Sequence, residues 1–464
     1  MSSELERLAL RVLMPGFEGL EAPAWLLARA AHLGGVCLYA RNVAGEGQVK
    51  ALTRQLHEAA PDLLIAIDEE GGDVTRLEAE SGSSYPGNLA LGSAGDPALT
   101  EAVARALGAR LSTLGLDLDL APVADVNRNP ANPVIGVRSF GADPDQVALH
   151  TGAFVRGLQS QGVAACAKHF PGHGDTQQDS HLELPEVGAL ELEPFRAAVA
   201  SGSQTMMSAH IVVRELGPEP ATLNPLAVQL LRRRLGFDGL LVSDGIEMRA
   251  LTARFSLAEA AVLALQAGVD LVCVGGGHAG PQVVDELQQA IVAGVDEGRL
   301  RQAVARRDGV ARWRAAQPAA AAADQGVGLA AARRAVRVRG DVRVAPGALL
   351  VELEGGRSIA IGAHRPRLSE QSVYWSEGAV DLPGLLERAA GRDLVVAVRD
   401  PHRLAWQRQA LEGVLAARPD AVVVDLGFPV LDPPCRGLVR TFGAGRVNRE
   451  AATELLFTGL VAAR

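Results

Sequence analysis

Between residue 8 and about residue 310, short apolar runs alternate with amphipathic helical patterns, and this alternation restricts the fold more than any other feature of the chain. The runs are Leu8–Met14, Gly35–Tyr39, Leu63–Ile67, Leu116–Ala121, Ala164–Ala167, Thr205–Ser208, Gly239–Val242 and Val269–Val274. A strand joined to the next strand through a helix must run parallel to it, because the helix carries the chain back to the starting edge. Eight such units predict a (β/α)8 barrel of the TIM type, with a doubly wound open sheet as the alternative that pattern alone leaves standing. Segments such as Pro97–Leu114, Asp143–Gln161 and Asn224–Leu235 supply the outer helices, the last opened by Asn224-Pro225.

The pattern breaks at the alanine-rich tract Ala315–Asp324, and a second set of apolar runs follows: Ala348–Val351, Ser358–Ile361, Leu394–Val398 and Ala421–Asp425. Helix-like stretches such as Pro401–Ala417 separate them, which predicts a smaller α/β domain. The expected division is a barrel over residues 1–314, a linker over 315–328 and a C-terminal α/β domain over 329–464. Gly355-Gly356 is a turn signal without the rest of a dinucleotide fingerprint, so no nucleotide site is expected there.

A chain of 464 residues with 48% hydrophobic content is long and apolar enough for two buried cores. Its net charge of −9 and interspersed signs offer no basic stripe for phosphates, so no nucleic-acid partner is expected. Cys37, Cys166, Cys273 and Cys435 are widely spaced, and the first three fall inside strand-like runs, where they read as small buried hydrophobes. The acidic opening Met-Ser-Ser-Glu-Leu-Glu-Arg and the lack of a bilayer-length apolar run predict a cytoplasmic protein that does not engage membranes.

Polar residues recur where the strands stop. Asp68-Glu-Glu-Gly-Gly72 follows the third run, Arg138 lies after the fourth, Lys168-His169 continue the fifth, Ala209-His210 follow the sixth, and Asp244 follows the seventh. In a barrel all these ends open on one face, where barrel enzymes hold their catalytic groups. Each residue alone has a plainer use: Asp68 or Asp244 as a helix cap, Lys168-His169 as an ion pair and a core histidine, His173, Asp175, Asp179 and Ser180 as loop braces. Convergence on one face favours the catalytic use. A metal centre at His169, His173, Asp175 and His181 is disfavoured because Pro171 and Gly172 break the helical spacing such ligands need, and Ser180 and Ser243 lie in no nucleophile elbow.

Lys168-His-Phe-Pro-Gly-His-Gly-Asp-Thr176 with Asp179-Ser-His181 resembles the β-N-acetylhexosaminidases of glycoside hydrolase family 3. So do Ile67-Asp-Glu-Glu-Gly-Gly72, Ile135-Gly-Val-Arg-Ser-Phe140, Met207-Ser-Ala-His210 and Leu235–Asp244, in the family's order. More weakly, Thr441–Arg446 and the helical ending Glu450–Gly459 resemble the C-terminal domain of many members.

The resemblance implies a retaining exo-glycosidase that removes terminal β-linked N-acetylglucosamine, from peptidoglycan-derived muropeptides or similar oligosaccharides, with no cofactor. It implies Asp244 as nucleophile, His181 as acid/base and Asp179 as the carboxylate orienting that histidine. It assigns Asp68, Arg76, Arg138, Lys168 and His169 to sugar binding, and His210 to a supporting role. A phosphorylase is the nearest alternative, because a histidine acid/base does not repel phosphate as a carboxylate would; a β-glucosidase and an inactive sugar-binding barrel stand further off. The sequence departs from the family pattern at Asp73, where arginine is usual, and at Gly245, where a second aspartate is common. The first departure is expected to alter what is accepted beyond the terminal sugar. Oligomeric state is not legible.

Overall fold

The computed structural model describes residues 3–176, 180, 183–188, 190–275, 279–318, 320–355, 367–369 and 371–459. The first ten strands are β1 (Leu13–Pro15), β2 (Gly35–Leu38), β3 (Leu64–Ile67), β4 (Leu118–Asp119), β5 (Ala164–Phe170), β6 (Glu186–Val187), β7 (Thr205–Ser208), β8 (Val212–Val213), β9 (Leu240–Ser243) and β10 (Val272–Val274). Strands β2, β3, β4, β5, β7 and β9 pair in that order, all parallel. A parallel bridge from Val242 to Leu271 carries the sheet on to β10, which pairs with β1, and Gly34 N donates to Leu13 O at 3.0 Å between β1 and β2. The eight-stranded ring is therefore closed, and the open-sheet alternative falls away. Strands β6 and β8 form a separate short pair outside it.

Side-chain alternation accounts for two nested cores. On β3, Leu64 and Ala66 point into the barrel with Met14, Cys37, Leu118, Cys166, Met207, Val242 and Cys273. Ile65 and Ile67 point outward against the helices, in the large cluster that includes Leu107, Leu111, Phe154 and Leu158. Three of the four cysteines thus fill the barrel interior, and burial pushes the Cys166 thiol up to about 12, leaving it protonated. Cys435 lies instead in the C-terminal part, half-buried, 3.2 Å from the Gly437 carbonyl.

The helices begin where their caps dictate. Asp96 caps Pro97–Thr113, Asp143 caps Pro144–Gln159 and Asp296 caps Glu297–Ala315, each side chain accepting backbone N–H groups of the first turn. One expectation is corrected at the start of the chain. Leu8–Arg11 completes a helix, Glu4–Arg11, and only Leu13–Pro15 is strand. Ser3 and Glu6 form a capping box that launches the helix, and Leu8, Ala9 and Leu10 are its buried residues. The expected helix Asn224–Leu235 is α-helical over Pro225–Gln229 and continues as a π-turn over Leu230–Arg234.

The C-terminal domain contains β11 (Arg337–Gly340), β12 (Leu349–Leu353), β13 (Val373–Trp375), β14 (Leu394–Val398), β15 (Val422–Asp425) and β16 (Gly437–Arg440). Their order is β11-β16-β15-β14-β12-β13, parallel except for β11. One face packs Val351, Val396 and Val423 on Leu385, Leu411 and Val414; the other packs Val395, Val422 and Val439 on Ala452, Leu455 and Leu456. The expected strand Ser358–Ile361 lies outside the described residues. No described helix is long and apolar enough to cross a membrane.

The helix Val327–Ala335 joins the two parts, sharing apolar contacts with Leu89, Ala90 and Val137 of the barrel through Ala335 and with Val447 and Ala451 through Ala332. The β3-to-helix loop, residues 68–87, lies between the barrel mouth and the C-terminal domain.

Candidate active site

A cavity of about 340 Å³ opens at the C-terminal ends of the barrel strands. Asp68 and Arg76 enter it from the loop after β3, Arg138 from the loop after β4, Lys168 and His169 from β5, and Asp244 from the end of β9. These are six of the eight residues singled out from the sequence. The other two, Asp179 and His181, lie outside the described residues.

The cations are held by carboxylates in a connected network. Lys168 Nζ lies 2.6 Å from Asp68 Oδ1 and 2.7 Å from Glu70 Oε1. Arg138 grips the same Glu70 with two N–H groups, Nε to Oε2 at 2.9 Å and Nη2 to Oε1 at 2.7 Å. Arg76 Nη2 lies 3.6 Å from Asp68 Oδ2. Burial works against every charge here, yet Arg138 and Lys168 outweigh it at Glu70 and hold that carboxyl far below its ordinary range. Asp68 is lowered in the same way, its desolvation overcome by Lys168 and Arg76. Lys168 is in turn raised, because Asp68 and Glu70 overcome the desolvation of its ammonium. The cavity therefore presents fixed ionic donors and acceptors with charges largely matched, a surface suited to a neutral molecule rich in hydroxyls.

His169 is oriented from behind. Its Nδ1 lies 2.7 Å from Asp125 Oδ2, and its Nε2 lies 3.5 Å from Arg138 Nη2. The Asp125 carboxylate only accepts, which makes Nδ1 the N–H side of the ring. Asp125, fully buried, also accepts the backbone N–H of His169 at 3.2 Å and of His173 at 2.7 Å. His173 Nδ1 lies 2.7 Å from Thr176 Oγ1 and its Nε2 2.9 Å from Ser180 Oγ. Burial, with His169 adding to it, pushes the His173 imidazolium down to about 4, so the ring is neutral near pH 7. Asn132 fastens the same loop, donating to His173 O at 2.9 Å and Gly174 O at 3.1 Å.

Asp244 Oδ1 accepts the N–H of Gly245 at 2.8 Å. His210 is fully buried, its Nε2 donating to Gly245 O at 2.9 Å and its Nδ1 2.9 Å from Thr222 Oγ1. The histidine thereby holds the peptide that follows Asp244 and takes no part in lining the cavity. A Cβ on Gly245 would come within 2.7 Å of Glu247 Oε1, the movable end of a side chain.

Glu70, Asp125 and Glu247 are among the site residues that went unassigned in the sequence. Glu70 belongs to the quoted Asp-Glu-Glu triplet, and the two-residue period that carries Asp68 inward carries Glu70 with it; Glu69 turns the other way and accepts the N–H groups of Arg76 at 2.8 Å and Leu77 at 3.0 Å. Asp125 lies past the end of β4, where its partner His169 is remote in sequence. Glu247, three residues after Asp244, lines the cavity and accepts Gly275 N–H at 2.9 Å. Asp73 was expected to alter what is accepted beyond the terminal sugar. It does not line this cavity; its Oδ2 lies 2.5 Å from Arg399 Nη2 and its Oδ1 accepts Ala444 N–H at 2.7 Å, both in the C-terminal domain.

Residues 18–308 match the family model for the glycosyl hydrolase family 3 N terminal domain. The chain belongs to glycoside hydrolase family 3. This family 3 enzyme is 38% identical over 299 residues to a Beta-hexosaminidase of Stenotrophomonas maltophilia (strain K279a), covering 60% of this chain and 87% of that protein. It is also 38% identical over 270 residues to Beta-hexosaminidase A of Pseudoalteromonas piscicida, covering 52% of this chain but only 45% of that longer protein. Among solved structures, a glycoside hydrolase family 3 beta-N-acetylglucosaminidase from Paenibacillus sp. str. FPU-7 superposes with a TM-score of 0.89 at 30% identity, covering 100% of this chain and 98% of that one. The family 3 enzyme thus shares the two-part architecture, barrel and C-terminal α/β domain, along its whole length.

Proposed function

We propose that the family 3 enzyme is a retaining exo-β-N-acetylglucosaminidase that hydrolyses terminal non-reducing β-linked N-acetylglucosamine. Six side chains from four strand ends meeting in one charge-matched cavity carry this reading. The naming of similar proteins as β-hexosaminidases and of a full-length structural neighbour as a β-N-acetylglucosaminidase supports it.

In this reading Asp244 attacks the anomeric carbon while His181, as imidazolium, protonates the departing oxygen, giving a glycosyl-enzyme ester and a free aglycone. The neutral imidazole then takes a proton from water as that water attacks the ester-linked carbon, which releases the sugar and restores Asp244 and the imidazolium. Asp179 orients the imidazole. Asp68, Arg76, Arg138, Lys168 and His169 bind hydroxyl and acetamido groups and so fix the anomeric carbon before Asp244. The natural substrates we propose are muropeptides met in the cytoplasm; turnover of purified muropeptides and cell fractionation test the two parts separately.

The deciding assay is aglycone release from a chromogenic N-acetyl-β-glucosaminide in phosphate-free buffer, with the sugar followed by NMR. Free N-acetylglucosamine formed first as the β anomer is expected. Release of the α anomer overturns retention, and a strict need for phosphate with sugar 1-phosphate as product overturns hydrolysis.

A further inference from the structure

We propose that Asp73 is a positioning residue through which the C-terminal domain sets the sugar-binding loop of the barrel. The proposal deepens the N-acetylglucosaminidase reading and rests on it for the meaning of that loop. Asp68, Glu70 and Arg76 face the cavity, whereas Asp73, between them in sequence, is buried on the side that meets the C-terminal domain. Its side chain is 2% exposed, and both oxygens are engaged by that domain, one by Arg399 just past the end of β14 and one by the backbone N–H of Ala444.

The link between the two sides is short and stiff. Glu70 N donates to Val74 O at 3.1 Å and Val74 N to Gly71 O at 3.3 Å, which makes residues 70–74 a closed turn with Asp73 at its tip. Gly71 and Gly72 take the left-handed region, at φ +81° and +61°, and a Cβ on Gly72 would lie 2.5 Å from the Gly87 Cα. Across the interface, a Cβ on Gly445 would lie 3.0 Å from the Gly72 Cα, so the two backbones touch. A turn wedged this tightly moves as a unit. Movement of Asp73 therefore moves Glu70, which grips both Arg138 and Lys168, and Arg76, which faces Asp68.

Further contacts from the C-terminal domain hold the same loop, with Arg446 on Glu78 at 3.3 Å and Val447 N on Ser83 O at 3.4 Å. Asp73 differs from these because it alone lies within three residues of both Glu70 and Arg76. The interface also explains the departure from the family pattern: an aspartate here neutralises Arg399, whereas an arginine would face it.

The test uses the full chain, its Arg399→Met variant and, as the charge-preserving control, Arg399→Lys, since Arg399 does not line the cavity. Hydrogen exchange of the amides of residues 70–77 and the separate kcat and KM for a chromogenic N-acetyl-β-glucosaminide are measured on each, with thermal unfolding alongside. Arg399→Met is expected to speed exchange in this segment and to raise KM about tenfold while kcat changes by less than about threefold, with Arg399→Lys recovering much of the loss. Unchanged exchange, or faster exchange with unchanged KM, overturns the proposal, as does a lowered unfolding temperature with no change in either. Should Arg399→Met not fold, Asp73→Asn, which keeps the acceptor for Ala444 and loses the charge, is held to the same outcomes. Faster exchange in a chain whose parent form releases no N-acetylglucosamine overturns the functional reading and leaves the mechanical link standing.

Discussion

His173 reaches seven residues along the chain to Ser180, its Nε2 2.9 Å from the serine Oγ, and Ala250 N–H closes on the Ser180 carbonyl at 3.3 Å. Ser180, which stands between Asp179 and His181 in sequence, is thereby held from two sides. The Thr176 and Ser180 hydroxyls can accept from the ring as well as donate to it, so burial, not the bond pattern, keeps the His173 ring neutral.

That burial makes the fold acid-sensitive. His173 titrates at about 4 in the folded chain, against about 6.5 when unfolded. Between those values the unfolded state binds more protons, so stability present above about pH 6.5 is lost as pH falls toward about 4, by as much as about 3 kcal/mol. Urea unfolding at pH 7 and pH 4.5 is expected to show the loss in the parent chain and a clearly smaller loss in His173→Gln. Equal losses in the two proteins would falsify the assignment.

Glu70 is the carboxylate on which the cavity's cations depend. Glu70→Ala leaves Arg138 and Lys168 buried and short of a partner, and is expected to lower unfolding free energy by about 3–5 kcal/mol. Glu70→Gln, similar in shape but uncharged, is expected to fall between. Denaturant titration reads both, and a loss below about 1 kcal/mol in the alanine variant would contradict the network.

Asp125 collects three N–H donors from the strand and loop that carry the site histidines. Asp125→Ala removes the acceptor of all three bonds, at about 1.5–3 kcal/mol for each bond to a charged group. It also frees the His169 tautomer, so KM is expected to rise even in a variant that remains folded. The NMR shifts of the His169 ring nitrogens report the tautomer directly; no change in them would rule out the orienting role.

The two halves of the proposed reaction separate by leaving group. Asp244→Ala is expected to lower kcat on the order of a thousandfold or more and to abolish trapping of a glycosyl-enzyme by mass spectrometry. His181→Gly is expected to impair unactivated aglycones far more than a nitrophenol, which departs with little help from an acid. Equal impairment of both classes would remove His181 from the acid/base role.

Much of this protein was legible before any coordinates. The continuous apolar runs such as Leu63–Ile67 and Leu394–Val398 and the amphipathic patterns between them are local properties, and they returned the strands, their parallel sense and the outer helices. The polar residues at strand ends were legible for the same reason, since a parallel barrel sends every such end to one face. Leu8–Met14 misled because its apolar residues suit either a buried strand or the buried side of a short helix; the capping pair Ser3 and Glu6 chose the helix.

What the sequence by itself determined is therefore the list of elements and the chemistry available at their ends. Which charge meets which was decided only by closure of the barrel and docking of the second domain. Arg138 and Lys168 were assigned to sugar binding, and folding also sets both on Glu70, 68 positions from the arginine. Asp73 stood out as a departure expected to alter what is accepted beyond the terminal sugar, and folding sets it on Arg399, 326 positions away. The physical reason is common to both cases: a buried carboxylate must find a cation within a few ångströms, and the partner that satisfies it is chosen by tertiary distance, on which local sequence is silent.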